Sequence, residues 1–182
     1  NIEGAMWMNP QCWGVISRMS TPEQAEKSMQ TVYEKLNTPW GIEVMGPCYK
    51  EHYFDGALMK LFNPTTKENG GIFCQPQGWA ILAESLLGHG GRAFEYFTES
   101  CPAAYNDRAE LREVEPYVHS QFIEGHESPQ PGRAHVHWLT GTASTVMVGC
   151  VEGILGLRPT PEGLVISPAI PAEWYGFTMD KT

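Results

Sequence analysis

The sequence predicts an all-α architecture with a small β appendage, and three observations predict it. Apolar residues recur at helical spacing in several segments, and long connections rich in Gly, Pro, Asn and His separate them. Only after Pro159 does the chain turn strand-like. Helices joined by long loops suggest a toroid that carries its site on one face, because long loops inside a compact domain are usually functional. The expected division is a helical part over 1–158 and the start of a β segment over 159–182.

The clearest helix start is Thr21. It suits an N-cap, Pro22 suits the first helical position, and Gln24 completes a capping box. Met29, Val32, Tyr33 and Leu36 then recur at helical spacing until Pro39 and Gly41 end the run. A second helix is expected over 79–87, stopped by Gly88 and Gly90-Gly91, and a third over 92–98, broken before Pro102. A fourth is expected over 142–155, where Gly149 and Gly153 permit close packing against neighbours. The run 163–168 reads as a short strand, continued by an irregular tail through Pro171, Trp174 and Gly176. There is no fixed-period repeat and no low-complexity segment. Both ends read as cuts within a larger protein: the chain opens at Asn1 in a Trp-rich stretch, and it stops at Thr182 as a strand-like segment starts at Phe177.

Composition narrows the function class. With 42% hydrophobic and 11% aromatic residues among 182, the chain can bury a core and is not a disordered tail. A net charge of -9, from 12 basic and 21 acidic side chains, argues against nucleic acid or an anionic membrane surface as partner. It leaves room for a local basic pocket. No apolar stretch approaches the roughly 20 residues of a membrane span, and no export signal opens the chain. The five cysteines are odd in number, scattered and outside any C-x-x-C pair, which reads as reduced thiols in a cytoplasmic protein.

Three loop segments concentrate the polar residues: 63–75, 115–122 and 132–142. In the last, Thr140-Gly141-Thr142 stands where a helix begins. Its free N–H groups suit a phosphate, although the residues alone favour a plain Thr N-cap. His135 and His137 lie two apart beside Arg133; no third ligand stands at a metal-binding spacing, so substrate hydrogen bonding or loop packing is the expectation rather than a metal. In the first loop Lys67-Glu68 could hydrogen-bond sugar hydroxyls or form a solvated ion pair. In the second, Glu115, His119 and Gln121 fit polar contacts around a sugar, while Tyr117 and Trp138 could stack on it or fill the core. No carboxylate pair announces an ordinary glycosidase.

Taken together, the runs 66–73, 115–118 and 138–142 resemble the cellobiose, cellodextrin and chitobiose phosphorylases of glycoside hydrolase family 94. So do the runs 154–159 and 163–174, together with Asn9-Pro10-Gln11 and Thr21-Pro22-Glu23-Gln24-Ala25. The resemblance covers nearly the whole chain, in order. It implies part of an (α/α)6 barrel, with the start of a small C-terminal β region, in a cytoplasmic homodimer. It also implies reversible phosphorolysis of a β-linked disaccharide to an α-sugar 1-phosphate with inversion, and no cofactor beyond the phosphate co-substrate. Carried over by position, Thr140 and Gly141 match phosphate-binding positions, and Lys67, Glu68 and Gln121 match sugar-contacting ones.

Two departures accompany the resemblance. Gln75 stands where the family has a phosphate-binding His, and an amide donates hydrogen bonds without charge. The general-acid Asp belongs to an upstream segment that these residues do not contain, so the chain alone is expected to be inactive. The stretch 133–138, His119 and the region 56–60 look most like cellobionic acid phosphorylases, whose acceptor is gluconate. Lys60, Arg133, His135 or His137 could supply the cation such an acceptor needs. A hydrolase on the same barrel, or a silent module of a cyclic β-glucan synthase, are the competing readings.

Overall fold

The computed structural model describes residues 3–51 and 58–180, without the side chain of Lys60. Its described part is mixed, which corrects the all-α expectation: six helices alternate with nine short strands in several small sheets. The helices are α1 (Met8–Ile16), α2 (Pro22–Leu36), α3 (Gln77–Leu86), α4 (Gly90–Ser100), α5 (Ala109–Arg112) and α6 (Thr142–Val148). The strands are β1 (Met6–Trp7), β2 (Asn37–Thr38), β3 (Gly41–Ile42), β4 (Met45–Gly46), β5 (Ile72–Phe73), β6 (Ser120–Ile123), β7 (Ala134–His137), β8 (Leu157–Thr160) and β9 (Gly163–Ile166). The physical reason for the miss is length. Segments of two to four residues hold no period to read, and their partners lie far away in sequence.

Helix α2 starts as its residues dictate. Gln24 N–H donates to Thr21 Oγ1 (3.3 Å) and Thr21 N–H donates to Gln24 Oε1 (3.0 Å), with Pro22 in the first turn. Ala25, Met29, Val32 and Leu36 form its buried stripe. Helix α1, in the stretch the sequence left unassigned, buries Met8, Cys12 and Val15 at the same kind of spacing. Helix α4 begins at Gly90, inside the dipeptide expected to break the chain, because the Ala169–Ile170 backbone crosses so close that a Cβ at Gly90 would collide with it. Helix α6 starts at Thr142 as expected. Beyond Val148 it widens into a π turn over Gly149–Ile154, with Leu155 N–H donating to the Cys150 carbonyl (2.8 Å).

Helix α3 is the hub, packing against α1, α4 and α6. The main core joins Met8, Cys12, Met29, Leu36, Ile81 and Tyr96. A smaller core of Ile72, Cys74, Ile123 and Ala134 lies under a three-stranded antiparallel sheet ordered β5–β6–β7, with Phe73 opposite Phe122 and Phe122 opposite His135. Gln77 ties hub to sheet. Fully buried, its amide accepts from Ile42 N–H (2.9 Å) and donates to the carbonyls of Ile42 (2.8 Å) and Phe73 (2.9 Å). The β8–β9 hairpin closes the described part, and the tail returns over α4 through Phe94 and Trp174, ring centroids 5.0 Å apart.

Candidate functional site

The three polar loops predicted from sequence converge on this sheet. The 63–71 loop runs into β5, the 115–119 loop runs into β6, and β7 runs out into Trp138–Thr142. The backbone there is unusual: Val136 (φ 59) and Trp138 (φ 63) both take left-handed conformations that side-chain-bearing residues rarely adopt.

Lys67 (φ 46) stands on a tight turn closed by a bridge between Thr66 and Asn69. Asn69, 1% exposed, fixes that turn: its Oδ1 accepts from Tyr49 N–H (2.7 Å), and its Nδ2 donates to the carbonyls of Tyr49 (3.0 Å) and Phe62 (3.1 Å). Lys67 Nζ lies 5.3 Å from the Phe62 ring centroid and 5.9 Å from that of Phe122. Phe122 in turn stacks on His135, centroids 4.9 Å apart and 9° from parallel. These side chains line a cleft of about 340 Å³ with Glu124 in its wall. Next to Lys67, Glu68 keeps one buried carboxylate oxygen without a hydrogen-bond partner among the described residues, which leaves it an open acceptor for a ligand hydroxyl.

A second corner forms where β5 leaves the sheet and α6 begins. The Gln75 amide nitrogen lies 3.2 Å from where a Cβ on Gly141 would stand, a close approach that any larger residue would press on. Thr140 Oγ1 accepts from Thr142 N–H (3.2 Å) and lies 2.5 Å from Thr142 Oγ1, which donates to the Ser120 carbonyl (3.3 Å). Thr145 Oγ1 donates to the Gln75 carbonyl (2.7 Å) and pins the corner to α6. Gln75, Thr140 and Gly141 are therefore together. Gln121 sits on β6 beside them, its carbonyl receiving the Cys74 N–H (2.8 Å).

The candidate cations are otherwise engaged. Arg133 pairs with Glu113 (2.7 Å) and Gln130 (2.5 Å), His135 with Glu124 (2.7 Å), and His137 with Glu115 (2.9 Å). Glu115 also accepts from the Trp138 indole N–H (3.0 Å), and that bond, with His137, draws its carboxyl below the usual range. His119 is half-buried, and burial followed by the nearby Arg112 charge lowers its pKa. The Lys60 side chain and residues 56–57 lie outside the described residues. Among the described residues no cluster of three or more His, Cys, Asp or Glu could hold a metal ion, and no helix is long and apolar enough to cross a membrane.

Sequence reasoning missed several participants. Glu124 and its partner Ser128, whose hydroxyl donates to the carboxylate, carry no sequence signal beyond polarity. Asn69-Gly70 is a turn dipeptide that could have been read. Buried Glu43 accepts from both the backbone N–H (2.9 Å) and Nδ1 (2.7 Å) of His126 and lines a separate cavity of about 370 Å³ bordered by Thr65 and Gly70. Burial pushes the Glu43 carboxyl above its ordinary range, opposed by its bonds from His126.

Residues 1–156 match the family described as the glycosyl hydrolase 94 superfamily, catalytic domain. The chain belongs to the glycosyl hydrolase 94 superfamily. It is 36% identical over 179 residues to the N,N'-diacetylchitobiose phosphorylase of Vibrio furnissii, covering 98% of this chain and 22% of that protein. To the cellobionic acid phosphorylase of Neurospora crassa it is 31% identical over 183 residues, with 98% and 23% covered. To the cyclic beta-(1,2)-glucan synthase NdvB of Rhizobium meliloti it is 30% identical over 175 residues, with 93% and 6% covered. This family 94 chain thus spans about a fifth of the length of the phosphorylases it matches. All the loops of the candidate site fall inside the family match.

Proposed function

We propose that this chain is part of an inverting glycoside phosphorylase, the part that holds inorganic phosphate and one side of the sugar. The observation that carries the reading is the meeting of the Gln75 amide with Gly141 beside the Thr140 and Thr142 hydroxyls. The Gln75 amide and the Thr140 hydroxyl are small, neutral groups beside backbone left open by a glycine, which suits an oxyanion. In phosphorolysis the phosphate oxygen is itself the nucleophile. It attacks the anomeric carbon from the face opposite the glycosidic oxygen, the C–O bond to the acceptor breaks, and one carboxylic acid protonates the departing oxygen. No second carboxylate is needed to activate water. The general acid belongs to residues outside this chain, so the 182 residues alone are inactive under this reading. The catalytic part ends near 158, and a cytoplasmic homodimer without a cofactor belongs to the same proposal.

For the acceptor, the geometry favours an uncharged sugar over the gluconate suggested by the sequence. Of the four candidates for the one cation that gluconate would need, Arg133, His135 and His137 are each held by a glutamate of the chain itself. An uncharged acceptor also accords with the relative that is a diacetylchitobiose phosphorylase.

The test is synthesis by the full-length protein: α-glucose 1-phosphate and, separately, N-acetyl-α-glucosamine 1-phosphate, each with glucose, N-acetylglucosamine, gluconate or cellobiose, following phosphate release. Release with an uncharged acceptor is expected. Release with gluconate alone would restore the cellobionic acid reading, and no release from folded protein would favour a hydrolase or a silent module.

A further inference from the structure

Glu124 belongs to no motif read from the sequence, yet it is held from two sides. Its Oε1 lies 2.7 Å from His135 Nε2, and its Oε2 accepts from the Ser128 hydroxyl. Its backbone is fixed as well, donating to the Arg133 carbonyl (2.9 Å) and accepting from Gly132 N–H (3.0 Å) where β6 and β7 part. The side chain is 13% exposed. His135, its partner, is locked by the parallel stack on Phe122. A preorganised carboxylate therefore forms one wall of the cleft, while Lys67, its Nζ 5.9 Å from the Phe122 ring centroid, has no carboxylate within ion-pair distance among the described residues.

We propose that Glu124 sets the charge of the sugar this cleft accepts: it turns carboxylated sugars away and leaves the His135 side to uncharged, hydroxyl-bearing ones. The inference rests on the phosphorylase reading only for its biological use, since selectivity of binding exists without the reaction. The physics is like-charge repulsion in a partly enclosed cleft. Two carboxylates a few ångströms apart there oppose each other by enough to shift an equilibrium about tenfold or more. Ser128 and His135 hold the Glu124 carboxylate in place, so it cannot swing into water to relieve the repulsion.

The experiment is calorimetric titration of the full-length protein and its Glu124→Gln and His135→Gln variants with glucose, N-acetylglucosamine and gluconate, with phosphate release followed in parallel. Wild type is expected to bind an uncharged sugar in preference to gluconate. Glu124→Gln is expected to raise gluconate binding relative to the uncharged sugars by about tenfold, while His135→Gln, which keeps the carboxylate, still rejects gluconate. Four results overturn the proposal: gluconate bound best by wild type, no sugar bound by folded wild type, an unchanged ratio in Glu124→Gln, or the same gain in His135→Gln as in Glu124→Gln. If Glu124→Gln does not fold, His135→Gln still decides, because a gain of gluconate there places selectivity in the stack rather than the charge. Selective sugar binding without any phosphate release would sink the phosphorylase reading and leave the role of Glu124 standing.

Discussion

At Gln75 and Thr140 the proposed phosphate corner is built from neutral groups, so under this proposal binding there depends on hydrogen-bond count rather than on a local positive charge. Removing one donor, as in Thr140→Val, is expected to raise the phosphate KM of the full-length protein about tenfold, the scale of one hydrogen bond to an anion. Gln75→His should lower that KM and make it climb as pH rises through the imidazole range. Initial rates across phosphate concentrations at three pH values check both. Glu99 makes a separate prediction. Burial raises its carboxyl to about 7, opposed by a bond from Asn37 (3.1 Å), and one of its oxygens has no partner among the described residues. A raised carboxyl contributes stability that is full below its ordinary pKa and is lost as pH rises through about 7. Melting temperature should therefore fall between pH 5.5 and 8. Glu99→Gln should flatten that fall, with a difference on the order of 1–2 kcal/mol after allowance for its partial exposure.

Among the elements, α3 and α6 cross closely. A Cβ on Gly78 would run into the Thr145 carbonyl, and Gly149 lies against Gly78 and Ile81 in turn. Gly78→Ala is thus expected to cost roughly 1–3 kcal/mol and, because Thr145 also pins Gln75, to raise the phosphate KM. Gly91→Ala, where a Cβ meets nothing within 4 Å, should leave stability unchanged or gain up to about 1 kcal/mol. Denaturant midpoints of the two variants make the comparison. The close-packing role of Gly149 and Gly153 was legible from the sequence, as was the capping box of α2, because both are local signals. The sheet β5–β6–β7 was not. Its strands are two to four residues long, β6 and β7 mix Phe, Ile and Val with Ser, Gln, Ala and His over only four residues each, and β5 lies nearly 50 residues ahead of its partner.

Across the whole molecule, that sheet turns three separate loops into one site. Polar residues in the loops could be named from sequence, and the structure does bring Gln75, Thr140 and Gly141 together and places Lys67 beside Phe122 and His135. What the sequence could not supply was the ion pairing. The glutamates that engage Arg133, His135 and His137 sit 20, 11 and 22 residues away from them, positions without any helical or strand register to announce the pairs. Under the proposed function those pairs favour an uncharged acceptor over an acid, while the family membership is unaffected.

The most direct test of phosphorolysis is to give the full-length protein a β-linked disaccharide with and without inorganic phosphate, and to follow the products by proton NMR. Cleavage only in the presence of phosphate, with an α-configured sugar 1-phosphate as first product, is the predicted result. Cleavage at the same rate without phosphate, yielding free sugars alone, would contradict it.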